Sequence, residues 1–225
     1  MTFSLIARCT KTGRFGMVMS SSSPAVAARC AHVRTGVGVV ASQNITDPAL
    51  GPLVLEALAA GRGTAEALAG VLQGRAHVAY RQLLVLGATG APAVHSGGQV
   101  LGIWGQAVGV DCAAGGNLLA NARVPQAMVE AFTGAVGPFG DRLIAALRAG
   151  REAGGEAGPV HSAGLKIADR LDWPYADLRC DWVDEGCPIE AVARAWAVYA
   201  PQADAYVQRA TDPTVAPSYG VPGDE

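Results

Sequence analysis

Apolar and β-branched residues crowd the first eight positions, Met1-Thr2-Phe3-Ser4-Leu5-Ile6-Ala7-Arg8, and return in Gly16-Met17-Val18-Met19 ahead of a serine run, Ser20 to Ser23. A polar turn at Thr12-Gly13 separates the two stretches, so together they predict a β-hairpin. The chain leaves it through Pro24 and a segment of small residues, 25–31. Thr35-Gly36-Val37-Gly38-Val39-Val40-Ala41-Ser42 then reads as a strand buried on both faces, with Gln43-Asn44 at its end.

The period changes next. Asp47-Pro48 gives a cap followed by proline, and Leu50, Leu53, Val54, Ala57 and Leu58 recur at helical spacing until Gly61. Thr64 is the expected cap of a second helix carrying Leu68, Val71 and Leu72. Two further strands, 82–87 and 92–97, flank the turn 88–91, and a third is expected over 104–110. Gly115-Gly116-Asn117-Leu118-Leu119-Ala120 breaks the strand pattern. Helices are predicted from Pro125, with Met128, Val129 and Phe132, and over 141–149, built on Leu143, Ile144 and Leu147. A Gly/Glu-rich mobile loop is expected over 151–159, and a strand pair at 162–169 and 175–182. After Pro188 one long helix carries Val192, Trp196 and Tyr199, and 211–225 reads as an irregular tail. Strands in runs and helices in pairs suit an α+β protein with mainly antiparallel sheets covered by helices, rather than a doubly wound parallel sheet.

At 225 residues the chain suits one domain, 1–225. Half of it is apolar, 16% is charged and the net charge is −2, which argues against a nucleic-acid partner. No apolar run has the length of a membrane span and no signal-peptide pattern opens the chain, so a cytoplasmic location and no membrane partner are expected. Cys9, Cys30, Cys112, Cys180 and Cys187 form no Cys-x-x-Cys pair, and the four histidines show no ligand spacing. Neither a metal nor a nucleotide fingerprint is present, so no cofactor is expected. The Ala/Gly-rich surface leaves room for a homo-oligomer, a homodimer being simplest.

The candidate chemistry sits at the start. Met1 is ordinarily trimmed before a residue as small as Thr2, and a terminal threonine carries its own base in the α-amine; the alternative is that Thr2 merely begins a strand. Asn117 is a candidate oxyanion donor or a turn residue. Ser21, Gln43 and Asn44 can line a pocket, or respectively make a turn, satisfy a strand end and cap a helix. Arg29, Arg81 and Arg179 can grip a carboxylate, with an ion pair to Asp181 favoured for at least one. His95 is a possible base and more often a structural residue.

Taken together, these stretches resemble the domain of unknown function 1028 family. The resemblance rests on the opening 1–8 with Thr12-Gly13 and Ser20-Ser21, on Gly36 through Gln43, on Arg81-Gln82, on Gly116 through Ala120 and on Arg179-Cys180-Asp181. It covers roughly 2–185. It implies an N-terminal-nucleophile (Ntn) hydrolase fold, a four-layer αββα sandwich, with Thr2 hydrolysing an amide or ureide of a small-molecule substrate. A non-catalytic descendant acting in ligand binding or assembly is the alternative. The chain departs from the family pattern at Gln106, where a histidine is customary, at Cys180, and in the Trp-rich stretch 173–182.

Overall fold

The first hairpin forms as the pattern dictates. In the computed structural model, which describes residues 1–223, β1 (Thr2–Arg8) pairs antiparallel with β2 (Phe15–Ser21), from Phe3 opposite Ser20 to Arg8 opposite Phe15. Gly13 takes the left-handed backbone, φ 76°, that its turn requires. The small-residue segment holds two elements the pattern does not announce, α1 (Val26–Cys30) and β3 (Ala31–Arg34). The strand expected from residue 35 therefore begins later. Thr35-Gly36 makes the turn, with Gly36 at φ 68°, into β4 (Gly38–Asn44).

Helices α2 (Leu50–Ala59) and α3 (Thr64–Leu72) follow their apolar spacing. Asp47 Oδ1 accepts the Ala49 N–H at 3.1 Å ahead of α2. Thr64, by contrast, makes no capping bond. Its hydroxyl oxygen accepts the Gly87 N–H at 3.3 Å and so ties α3 to β5 (Arg81–Gly87). The chain continues through β6 (Ala93–Ser96), β7 (Gly105–Gly109) and β8 (Cys112–Asn117).

The expected break at Gly115-Gly116-Asn117 is thus a correction, for these residues are the end of β8. A Cβ on Gly116 would lie 2.7 Å from Leu119 Cδ2, and one on Gly115 3.0 Å from Leu84 Cδ2. Glycine here serves close packing on both faces, not a turn. α4 (Val124–Gly134) and α5 (Phe139–Glu152) come next, then β9 (Ser162–Ala168) and β10 (Pro174–Cys180). The expected long last helix is two, α6 (Pro188–Tyr199) and α7 (Ala203–Thr211), divided at Pro201 by a short 3-10 turn. Residues 212–223 carry neither helix nor strand, and the last two residues of the expected tail lie outside the described ones.

The mobile loop expected over 151–159 is a second correction, because Arg151 and Glu152 end α5 and the rest is pinned in place. Ala120 N–H donates to the Gly155 carbonyl at 3.0 Å, Ala157 N–H to Leu118 at 3.0 Å, and His161 N–H to Ser21 at 2.9 Å.

Among the described residues the strands make two sheets, antiparallel throughout, in the orders β10-β9-β2-β1-β8-β7 and β3-β4-β5-β6. Strand alternation sorts the core. Leu5, Val18 and Leu165 pack with Phe132, Leu143 and Leu147 of α4 and α5 and Val192 of α6. Ile6, Met17 and Met19 meet Val39, Ala41, Leu84 and Leu86 of the other sheet. Val40, Leu83 and Val85 pack with Leu50, Val54 and Leu68 of α2 and α3. Each such side chain contributes about 1.5–3 kcal/mol when fully buried. No helix among the described residues is long and apolar enough to cross a membrane.

Candidate active site

Thr2 heads β1, an interior strand of the larger sheet, directly opposite Asn117 on β8. By alternation its side chain shares a face with Ser4 and Ile6, the face turned to the second sheet. It is 5% exposed. Thr2 Oγ1 lies 3.5 Å from Ser21 Oγ and donates to the Met1 carbonyl oxygen, which also accepts the Ser21 hydroxyl at 2.5 Å. Two hydroxyls thus converge on the residue that blocks the Thr2 amine.

Behind them runs a chain of buried amides. Ser4 Oγ donates to Gln43 Oε1 at 2.6 Å, and Gln43 Nε2 donates to Gln82 Oε1 at 2.8 Å. Asn117 Nδ2 donates to the same Gln82 oxygen at 3.3 Å. Gln82 Nε2 donates to Ser96 Oγ at 3.0 Å, and Ser96 Oγ to the exposed Gln106 at 2.8 Å. The network sets the Asn117 amide with its nitrogen on Gln82, and among the described residues Asn117 Oδ1 is buried without a partner. The amide nitrogen has a second hydrogen beyond the one given to Gln82. The serine run offers less than its sequence suggests. The Ser22 N–H is taken by Glu156 and the Ser23 N–H by Ser21 Oγ at 3.0 Å.

Asn44 and Arg81 face each other across β4 and β5 at the same end. Asn44, in left-handed backbone at φ 72°, donates to the Tyr80 carbonyl at 2.5 Å and accepts the Leu101 N–H at 3.2 Å. It therefore fastens three segments and does not cap α2. Arg81 donates to the Ile45 carbonyl. Arg29, on α1, donates to the Pro24 carbonyl at 3.0 Å, and among the described residues no hydrogen bond joins it to the amide chain. Arg179 pairs with Asp181 at 3.0 Å, and His95 Nε2 lies 3.1 Å from the Val78 carbonyl.

Two residues escaped the sequence reading. Gln82 carried a signal, a polar residue at the head of an otherwise apolar strand. Glu156 carried none, since a glutamate in a glycine-rich loop reads as solvated. Yet Glu156 is 5% exposed, and both its oxygens lie 3.1 Å from the Ser22 nitrogen. Burial pushes its carboxyl up from 4.5 to about 7, against the opposing pull of the chain's own α-ammonium and the Ser22 hydrogen bonds. Among the described residues no three His, Cys, Asp or Glu side chains are grouped to hold a metal ion.

Residues 2–192 match the model of a family of unknown function, DUF1028. The chain belongs to that family. A crystal structure of a DUF1028 protein from Silicibacter pomeroyi is similar to it at 29% identity and a TM-score of 0.82, over 88% of this chain and 85% of that one. Anbu (ancestral beta-subunit) from Yersinia bercovieri is similar at only 9% identity and a TM-score of 0.40, over 91% and 97% of the two chains, too distant a likeness to carry weight. No protein with a curated description matches. The DUF1028 match spans Thr2, Ser21, Gln82, Asn117 and Glu156 alike.

Proposed function

We propose that this protein is an N-terminal-nucleophile amidohydrolase on a four-layer αββα frame, acting through Thr2 once Met1 is removed. The observation that carries this reading is the position of Thr2. It begins an interior strand, faces the second sheet, and has Ser21 beside it and Asn117 across from it. Thr2 Oγ1 attacks an amide carbonyl while the freed α-amine takes the hydroxyl proton. Asn117 donates its remaining N–H to the oxyanion, the serine-run N–H groups being occupied. The proton then passes to the leaving nitrogen as the C–N bond breaks, and water releases the acid. Ser21 lies beside Thr2 Oγ1, and Gln43 and Asn44 are proposed to line the pocket from the second sheet. The remaining guanidinium donors of Arg81 serve an anionic part of the substrate, a role for which nothing in the geometry favours Arg29.

The test uses protein freed of Met1, verified by intact mass, and 4-nitrophenyl acetate as acylating probe. One acetyl group should appear on Thr2, Thr2→Ser should retain labelling, and Thr2→Ala should lose it. Asn117→Ala should slow acylation about 100-fold. Equal labelling of Thr2→Ala would show that the nucleophile lies elsewhere.

The Met1 carbonyl favours a second reading. While Met1 stays, it satisfies the hydroxyls of Thr2 and Ser21 and blocks the amine. A chain that retains Met1 in the cell is then a non-catalytic relative acting in ligand binding or assembly.

A further inference from the structure

Strand register fixes what surrounds the start of β1. Phe3 lies opposite Ser20 and Thr2 opposite Asn117, so β1 begins between the ends of β2 and β8. Glu156 joins those two sides. Its backbone bridges to Leu119, while its carboxylate receives the Ser22 N–H, 3.1 Å from each oxygen. Gly155 of the same loop lies beside the Phe3 ring, a Cβ there falling 3.5 Å away in ordinary contact. The carboxylate therefore sits at the end of the sheet where β1 begins.

A carboxyl group this buried needs a cation when ionised. Among the described residues no arginine or lysine ion-pairs with Glu156. The positive charge whose field reaches it is the α-ammonium of Met1, one residue ahead of the Thr2 amine. The same field reaches Cys30 of α1, whose thiol burial pushes up and keeps neutral. His161, at the far end of the loop, has its Nδ1 engaged 2.7 Å from the Val183 carbonyl.

We propose that Glu156 is the anionic partner of the Thr2 α-amine uncovered by Met1 removal, a positioning residue that aims the amine at Thr2 Oγ1. This rests on the N-terminal-nucleophile reading. The proton leaves Oγ1 for the amine as the carbon–oxygen bond forms, and leaves the amine for the departing nitrogen as the C–N bond breaks. Once ionised, Glu156 takes no part in either transfer and stabilises the ammonium between them.

The experiment follows the Thr2 amine by NMR in Met1-free protein labelled with 13C-threonine, across pH 5 to 10. Beside a carboxylate, the amine should titrate above its unperturbed value of ~8. Glu156→Gln, which keeps an oxygen for the Ser22 N–H, should lower that midpoint by about one unit. Glu156→Asp, which keeps the charge but draws it back, should give a value between the two, and carries the test alone if the glutamine variant does not fold. A midpoint unmoved by either substitution overturns the pairing, whether or not Thr2 accepts acetyl. Loss of acylation with the midpoint shift intact would instead overturn the nucleophile and leave the pairing standing.

Discussion

Glu156 is an acid kept out of water, its carboxylate held by the Ser22 N–H, and that has a measurable cost. Its folded-state carboxyl titrates at about 7, above the ordinary 4.5, so the folded chain holds this proton more tightly than the unfolded one. The stabilisation is complete below pH 4.5 and is lost as pH rises through 7. Chemical denaturation should show wild type losing on the order of 3 kcal/mol across that window relative to Glu156→Gln. Parallel pH profiles for the two proteins would contradict it. At this scale the sequence was legible where type and position coincide. Thr2 was legible as the head of a strand, and Gln82, though missed, carried its signal as a polar residue ahead of an apolar run. Glu156 does not, because its burial comes from a loop closing on Leu118 and Leu119, a long-range event that leaves no local pattern.

Elements show the same divide between pattern and packing. β1, β2, α2 and α5 follow from periodicity, whereas β8 hides behind glycines that read as a break. Close approach explains them, and it recurs between helices. A Cβ on Gly140 of α5 would sit 2.2 Å from Cζ2 of Trp196 on α6, whose Nε1 donates to Asp141 at 2.7 Å. Gly140→Ala should therefore force the indole aside. We expect a loss of about 1–3 kcal/mol in denaturant unfolding and a changed near-ultraviolet tryptophan signal. An unchanged midpoint would mean that the two helices can part freely. The split of the last helix was missed although Pro201 marks it, whereas β3 gave no mark to miss, since its four residues carry no alternation longer than a turn.

Across the whole molecule, the chain Ser4–Gln43–Gln82–Asn117 stitches one sheet to the other. Gln43→Leu or Gln82→Leu alone strands a buried amide and should cost about 1–3 kcal/mol. The double substitution should cost clearly less than the sum, the sign of direct coupling; strict additivity would show that the two amides act independently. These linking groups are amides and a hydroxyl, none of which gains or loses a proton under physiological conditions. The interior wall of the site therefore keeps one arrangement of donors and acceptors from acid to alkaline medium. On the pairing proposed above, the response to acidity is built instead at the start of β1, where the freed Thr2 amine would face the Glu156 carboxyl.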